Sequence, residues 1–134
     1  QDKKKMKFII YFHKDAVELG QTLNTILGKN FARFDRQVFQ TVNGLTERFN
    51  QVRDYNEKEI FILLADSRSH LKELTALVDL MEDKCLILIL PDDSRSTLSM
   101  AYGLFPRFCT KISDNYDDLC RVVNKMIAKE RRYG

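Results

Sequence analysis

Short, uninterrupted apolar runs alternate along this chain with stretches in which apolar residues recur every three or four positions, the pattern of strands followed by amphipathic helices. MKFIIYF, Met6 to Phe12, is β-branched, aromatic and bounded by a polar segment, which predicts a buried strand. Asp15 is placed as a helix N-cap with Glu18 at capping-box spacing; Leu19, Leu23, Ile26 and Leu27 follow at helical intervals, and Gly28 is expected to end the helix. Further on, EIFILLA predicts a strand, and Leu71, Leu74, Leu77, Val78 and Met81 form a helix stripe. CLILILP is a second strand without polar alternation. A helix from about Ser96 to Leu104, a strand RFCTKI and a last helix carrying Leu119, Val122, Val123, Met126 and Ile127 complete the series.

The stretch from Phe31 to Asp54 reads in two ways. Val38, Val42, Leu45, Phe49 and Val52 fit one helical stripe, and that reading leaves a sheet of four strands. Alternatively QVFQTV, Gln37–Val42, is a strand, Asn43-Gly44 a turn, and Leu45, Phe49 and Val52 belong to a shorter helix. The strand reading is adopted. It gives five β-α units, and strands apolar throughout are covered on both faces, so the expected fold is α/β: a doubly wound, five-stranded parallel sheet of the flavodoxin type with strand order 2-1-3-4-5.

Composition narrows the class. At 134 residues the chain is expected to be one domain, and its start at Gln1 without a signal-like segment gives the expectation of a module from a longer polypeptide. The longest apolar runs are far too short to cross a bilayer, so no membrane role is expected. The net charge of +3 is concentrated only at the ends, DKKKMK and KERRYG, which read as solvated tails and not as a nucleic-acid face. Cys85, Cys109 and Cys120 are odd in number and lack metal-ligand spacing; buried thiols in a reducing cytoplasm explain them, with Cys109 in the core and no histidine placed to activate it.

One tetrapeptide occurs twice. Asp-Ser-Arg-Ser follows an apolar run at residues 66–69 and again at 93–96, each time before a predicted helix and on the sheet edge where such folds bind ligands. Helix capping accounts for Asp66, Ser67, Ser69, Asp93, Ser94 and Ser96, because Asp and Ser oxygens satisfy the first free N–H groups of a helix. The rival is an anion or nucleotide site built from Arg68, Arg95, Ser67 and Ser94 at two helix starts. Neither turn contains the glycines of a phosphate-cradling loop, and the chain's glycines, at 20, 28, 44, 103 and 134, form none elsewhere.

With the strand-end residues in hand, the chain resembles the receiver domain of bacterial two-component response regulators. FILLAD places Asp66 at the end of the third strand, where that family carries its phosphoacceptor, and FCTK supplies a strand-five Lys111 with the aromatic Phe108 three positions before it. The family's paired acids after the first strand, which hold Mg²⁺, are replaced by Phe12 and His13; Leu90 and Pro91 stand where a Thr or Ser belongs, and no proline follows Lys111. Without those acids nothing offsets the repulsion between a phosphoryl group and a carboxylate. Asp92 and Asp93, or Asp15 if freed from capping, are the only acids placed to substitute, so the resemblance implies a degenerate pseudo-receiver without bound metal or cofactor.

The expected function is non-enzymatic: a signal-transduction or protein-interaction module in the cytoplasm. By the same resemblance, a protein partner, or an effector or sensor domain fused to it, would use the surface of the fourth helix, fifth strand and fifth helix; Met100, Tyr102, Leu104 and Phe105 give more apolar character there than one buried face needs, and ordinary core packing is an equal reading of them. A homodimer is compatible with the same surface. Two alternatives stand beside it: a phosphorylatable receiver using Asp66 with a displaced Mg²⁺ site, and a small-molecule or nucleotide binder. His13 and His70, far apart in sequence, read as surface or edge histidines.

Overall fold

The computed structural model describes residues 5–52 and 57–133. Five parallel strands form one sheet in the order β2-β1-β3-β4-β5, with β1 at Lys5–Phe12, β2 at Asp35–Phe39, β3 at Glu57–Leu64, β4 at Cys85–Leu90 and β5 at Phe108–Lys111. The helices are α1 (Val17–Asn30), α2 (Val42–Phe49), α3 (Arg68–Thr75), α4 (Arg95–Tyr102) and α5 (Asp117–Tyr133). This is a flavodoxin-like α/β fold. Among the described residues no helix is long and apolar enough to cross a membrane.

Alternation along the strands divides the core between the two faces. Phe8, Ile10, Phe12, Ile60, Ile62, Leu64, Ile87 and Ile89 point to one side and are covered by α1 and α5 through Leu23, Leu27, Leu119, Val123 and Ile127. Ile9, Tyr11, Phe61, Leu63, Leu86 and Leu88 point to the other, beneath Leu45 and Phe49 of α2, Leu71 and Leu74 of α3, and Ala101 of α4. The interior strands are therefore apolar at nearly every position, while β2, at the edge, is largely exposed.

The strand reading of the difficult stretch holds, with shifted bounds. β2 pairs with β1 from Lys7↔Asp35 to Tyr11↔Phe39. Thr41, assigned to the strand by sequence, instead caps α2: its Oγ1 accepts the Gly44 N–H at 3.0 Å. Asn43-Gly44 consequently lies in the first turn of α2 and makes no reverse turn. Val52 falls beyond the helix and is 97% exposed. The helix is fastened underneath by a buried Arg48–Glu59 ion pair, with Arg48 Nε also donating to Gln37 Oε1 at 2.9 Å.

Both expected ends of α1 are corrected. His13, not Asp15, caps the chain's entry: its Nδ1 accepts the Asp15 N–H at 3.0 Å and opens a single 3₁₀ turn, Lys14–Ala16, before α1. An imidazole acceptor does here what a carboxylate or hydroxyl usually does. Gly28 lies inside the helix, which continues to Asn30 and closes with the Phe31 N–H on Leu27 O at 2.8 Å. Gly28 leaves room for the Arg36 guanidinium, whose Cζ would stand 2.9 Å from an added Cβ. The stripe from Leu71 to Met81 is likewise interrupted: α3 stops at Thr75 and Val78–Leu80 forms a separate 3₁₀ turn. At the chain's ends, α5 carries the backbone of the C-terminal basic stretch as helix to Tyr133, whereas residues 1–4 and 134 of the expected tails lie outside the described residues.

Candidate functional site

β1 lies between β2 and β3, so the chain leaves its carboxyl end toward one side after β1 and the sheet grows toward the other after β3. The crevice at such a reversal is where flavodoxin-like sheets hold ligands. His13 follows β1 there, and Asp66 follows β3. Ser67 then fixes the start of α3, its Oγ accepting the His70 N–H at 3.1 Å. One helical turn places His70 over Asp66, and His70 Nδ1 is hydrogen-bonded to Asp66 Oδ1.

Across the crevice the two imidazoles meet. The rings of His13 and His70 stack with centroids 4.0 Å apart and 18° between planes. Asp15 Oδ2 is 3.2 Å from His13 Nδ1 and 4.0 Å from His70 Nε2. Glu73, three residues beyond His70 on α3, brings a third donor: one ligand atom each from His13, His70 and Glu73 lies within 4.8 Å of the others. Both histidines are mostly covered, while Glu73 is exposed. At the base of the crevice is Tyr11, whose hydroxyl pKa is pushed up to about 12, first by burial and then by the negative charges of Glu73 and Asp66.

The other strand-end residues are occupied separately. Lys111 Nζ bonds Asp93 Oδ2 at 3.3 Å and lies 4.0 Å from Asp114. Phe108 is half-buried against the core on the α1/α5 face. Asp92 accepts the Ser94 N–H at 2.9 Å, and hydrogen bonds from Thr97 and Ser94, with Arg68 nearby, lower its carboxyl to about 2. Asp114 is also held below the usual carboxylate range, by the Lys111 N–H and the Thr110 hydroxyl.

These positions do not fit the Mg²⁺ pocket that the receiver resemblance would imply. Phe12 is buried with its ring against Gly20, where an added Cβ would stand 2.1 Å from the ring's Cγ, and it offers no ligand. Asp66, Asp92 and Asp93 are bonded to His70, Ser94 and Lys111 in turn, and among the described residues they gather into no three-donor group; the group that does gather has two nitrogens.

The four candidates for an anion site are split by capping. Ser67 and Ser94 accept the N–H groups of His70 and Thr97, as the capping reading expected. Arg68 Nη1 donates to Ser96 Oγ at 3.1 Å and its Nε lies 3.8 Å from Asp92 Oδ2, so the two tetrapeptides touch. Arg95 is exposed, with no hydrogen bond or ion pair among the described residues. The three cysteines are free; burial raises each thiol's pKa, which disfavours the thiolate. No family model, curated protein or solved structure matches this chain.

Sequence reasoning missed the His13–His70 pair. The Asp66/His70 spacing of one helical turn was a legible signal; the approach of His13 was not, because only the β1–β3 pairing creates it.

Proposed function

We propose that the domain is a non-enzymatic module of signal transduction that works by contact with a protein partner, with a receiver-like frame and without phosphotransfer. The observation that carries this reading is the separate engagement of the two expected phosphotransfer residues: Asp66 is bound to His70, and Lys111 to Asp93 and Asp114. A carboxylate that is to accept a phosphoryl group needs a cation aimed at it, and Lys111 is turned to Asp93 and Asp114 instead.

The surface at the α4–β5 junction supports the contact half of the reading. Of the apolar residues singled out there, Leu104 is buried and Met100 packs on the core, whereas Tyr102 is 58% and Phe105 83% exposed. Phe105 also has φ 54°, in the left-handed region, which costs a non-glycine residue about 1 kcal/mol. An exposed ring on strained backbone contributes little to this domain's own core and suits a partner's surface, in another chain or in a domain fused to this one. Three free thiols with no disulfide suit a reducing compartment such as the cytoplasm.

The test is incubation with acetyl phosphate and Mg²⁺, followed by intact-protein and peptide mass spectrometry. No adduct at Asp66 is expected, with Asp66→Asn indistinguishable from the parent chain; an acid-stable, base-labile phosphoryl group on Asp66 overturns the proposal.

A further inference from the structure

We propose that His13, His70 and Glu73 form a binding site for a divalent transition-metal ion of the zinc class, with Asp66 and Asp15 orienting the two imidazoles. The site is separate from the α4–β5 surface and does not depend on the contact reading.

Donor chemistry sets the class of ion. Two imidazole nitrogens and one carboxylate oxygen suit zinc, copper or nickel, whereas magnesium and calcium demand oxygen ligands. Three protein donors also match the count of open zinc sites, in which water or another group takes the fourth position.

A random meeting of two histidines would lack the outer carboxylates found here. Metal-binding histidines usually hold a carboxylate or carbonyl on the nitrogen that faces away from the ion, which fixes the tautomer and raises the ring's basicity. The Asp66–His70 Nδ1 bond does this for His70 and leaves Nε2 to the crevice, on the side of Asp15. For His13, Nδ1 accepts the Asp15 N–H in the metal-free chain, so binding through Nε2 moves the ring proton to Nδ1 and exchanges that cap for a bond to Asp15 Oδ2, 3.2 Å away. Asp66, Asp15 and Glu73 also bring three carboxylates to one crevice, an excess of negative charge that a dication offsets.

Location agrees with chemistry, since the cluster occupies the β1/β3 reversal of the sheet. The ion would reshape the site modestly. Donors on a tetrahedral zinc are roughly 3.4 Å apart, and these three lie within 4.8 Å. Glu73, being exposed, is free to swing inward. The stacked rings must also splay, because their lone pairs now lie in two nearly parallel planes.

The experiment uses the intact chain, kept reduced, stripped with EDTA and dialysed against Zn²⁺. One zinc per chain by elemental analysis is expected, with a thermal upshift that Mg²⁺ does not reproduce and visible d–d bands when Co²⁺ replaces zinc. His70→Gln should abolish binding. Glu73→Gln, a change at an exposed position that preserves the fold, should weaken it at least tenfold, and Asp66→Asn by 10- to 100-fold. Should His70→Gln fail to fold, Glu73→Gln alone decides. Absence of stoichiometric zinc in the parent chain, or undiminished affinity in Glu73→Gln, overturns the proposal.

Discussion

The two copies of Asp-Ser-Arg-Ser share a sequence, a strand-to-helix junction and one bond, and little else. In each, the first serine caps the following helix, Ser67 on the His70 N–H and Ser94 on the Thr97 N–H. The acids then part company: Asp66 holds His70 of the helix that follows it, in a half-buried crevice, while Asp93, 70% exposed, reaches Lys111 on the next strand. The arginines differ as well, since Arg68 spans to Ser96 of the second copy and to Asp92 just before it, and Arg95 stands exposed. A hydroxyl at a helix start answers to the backbone beside it, so identical letters give identical roles. A charged side chain answers to whatever the topology brings near, and β3 borders β1 where β4 borders the edge strand β5.

The sharpest way to separate the copies is to remove their acids. In metal-free protein, Asp66→Ala is expected to cost about 1.5–3 kcal/mol, the range for hydrogen bonds to a charged group. Asp93→Ala should cost about 0–1 kcal/mol, as for exposed ion pairs. Urea denaturation measures both, and equal losses would break the distinction between a half-buried and a solvated partner. Next come the caps. Ser67→Ala and Ser94→Ala should each cost about 1 kcal/mol; a loss confined to one of them would show that the shared tetrapeptide is not one device used twice.

The smallest effect concerns acid sensitivity, and it belongs to Asp92, the residue just before the second copy. Its carboxyl titrates near 2 when folded against an ordinary 3.8, so the unfolded chain binds the proton more readily. The stabilisation is complete above pH 3.8 and is lost as pH falls from there toward 2. Asp92→Asn should flatten that limb of a plot of urea midpoint against pH; an unchanged slope would remove Asp92 from the account.

The five β-α units were legible because interior strands must be apolar on both faces, as Ile60 to Leu64 and Leu86 to Leu90 are. β2 is harder to read for the converse reason: Asp35, Arg36, Gln37 and Val38 face solvent, so burial imposes no period on them, and its bounds follow only from the pairing with β1. The Asp15 cap failed because a histidine nitrogen took the role that residue preferences assign to oxygen. Of the candidate site, the place of Asp66 at a strand end and the capping role of both serines were readable locally. The i, i+4 partner of Asp66 and the nearby Asp114 of Lys111 are local too, but Lys111 finds Asp93 only once β5 lies beside β4. His13 meets His70 only because strands distant in sequence are adjacent in space.

The packing of Phe12 on Gly20 has a further implication, for what substitution can undo. An aspartate introduced at position 12 would trade an interlocking ring for a short charged group, and the hollow left over the glycine would open the core beneath it. Filling that hollow by enlarging the glycine first is barred in turn, because the ring already occupies the space. An acid at position 12 is therefore reachable from this chain only by two simultaneous exchanges, each of them damaging alone.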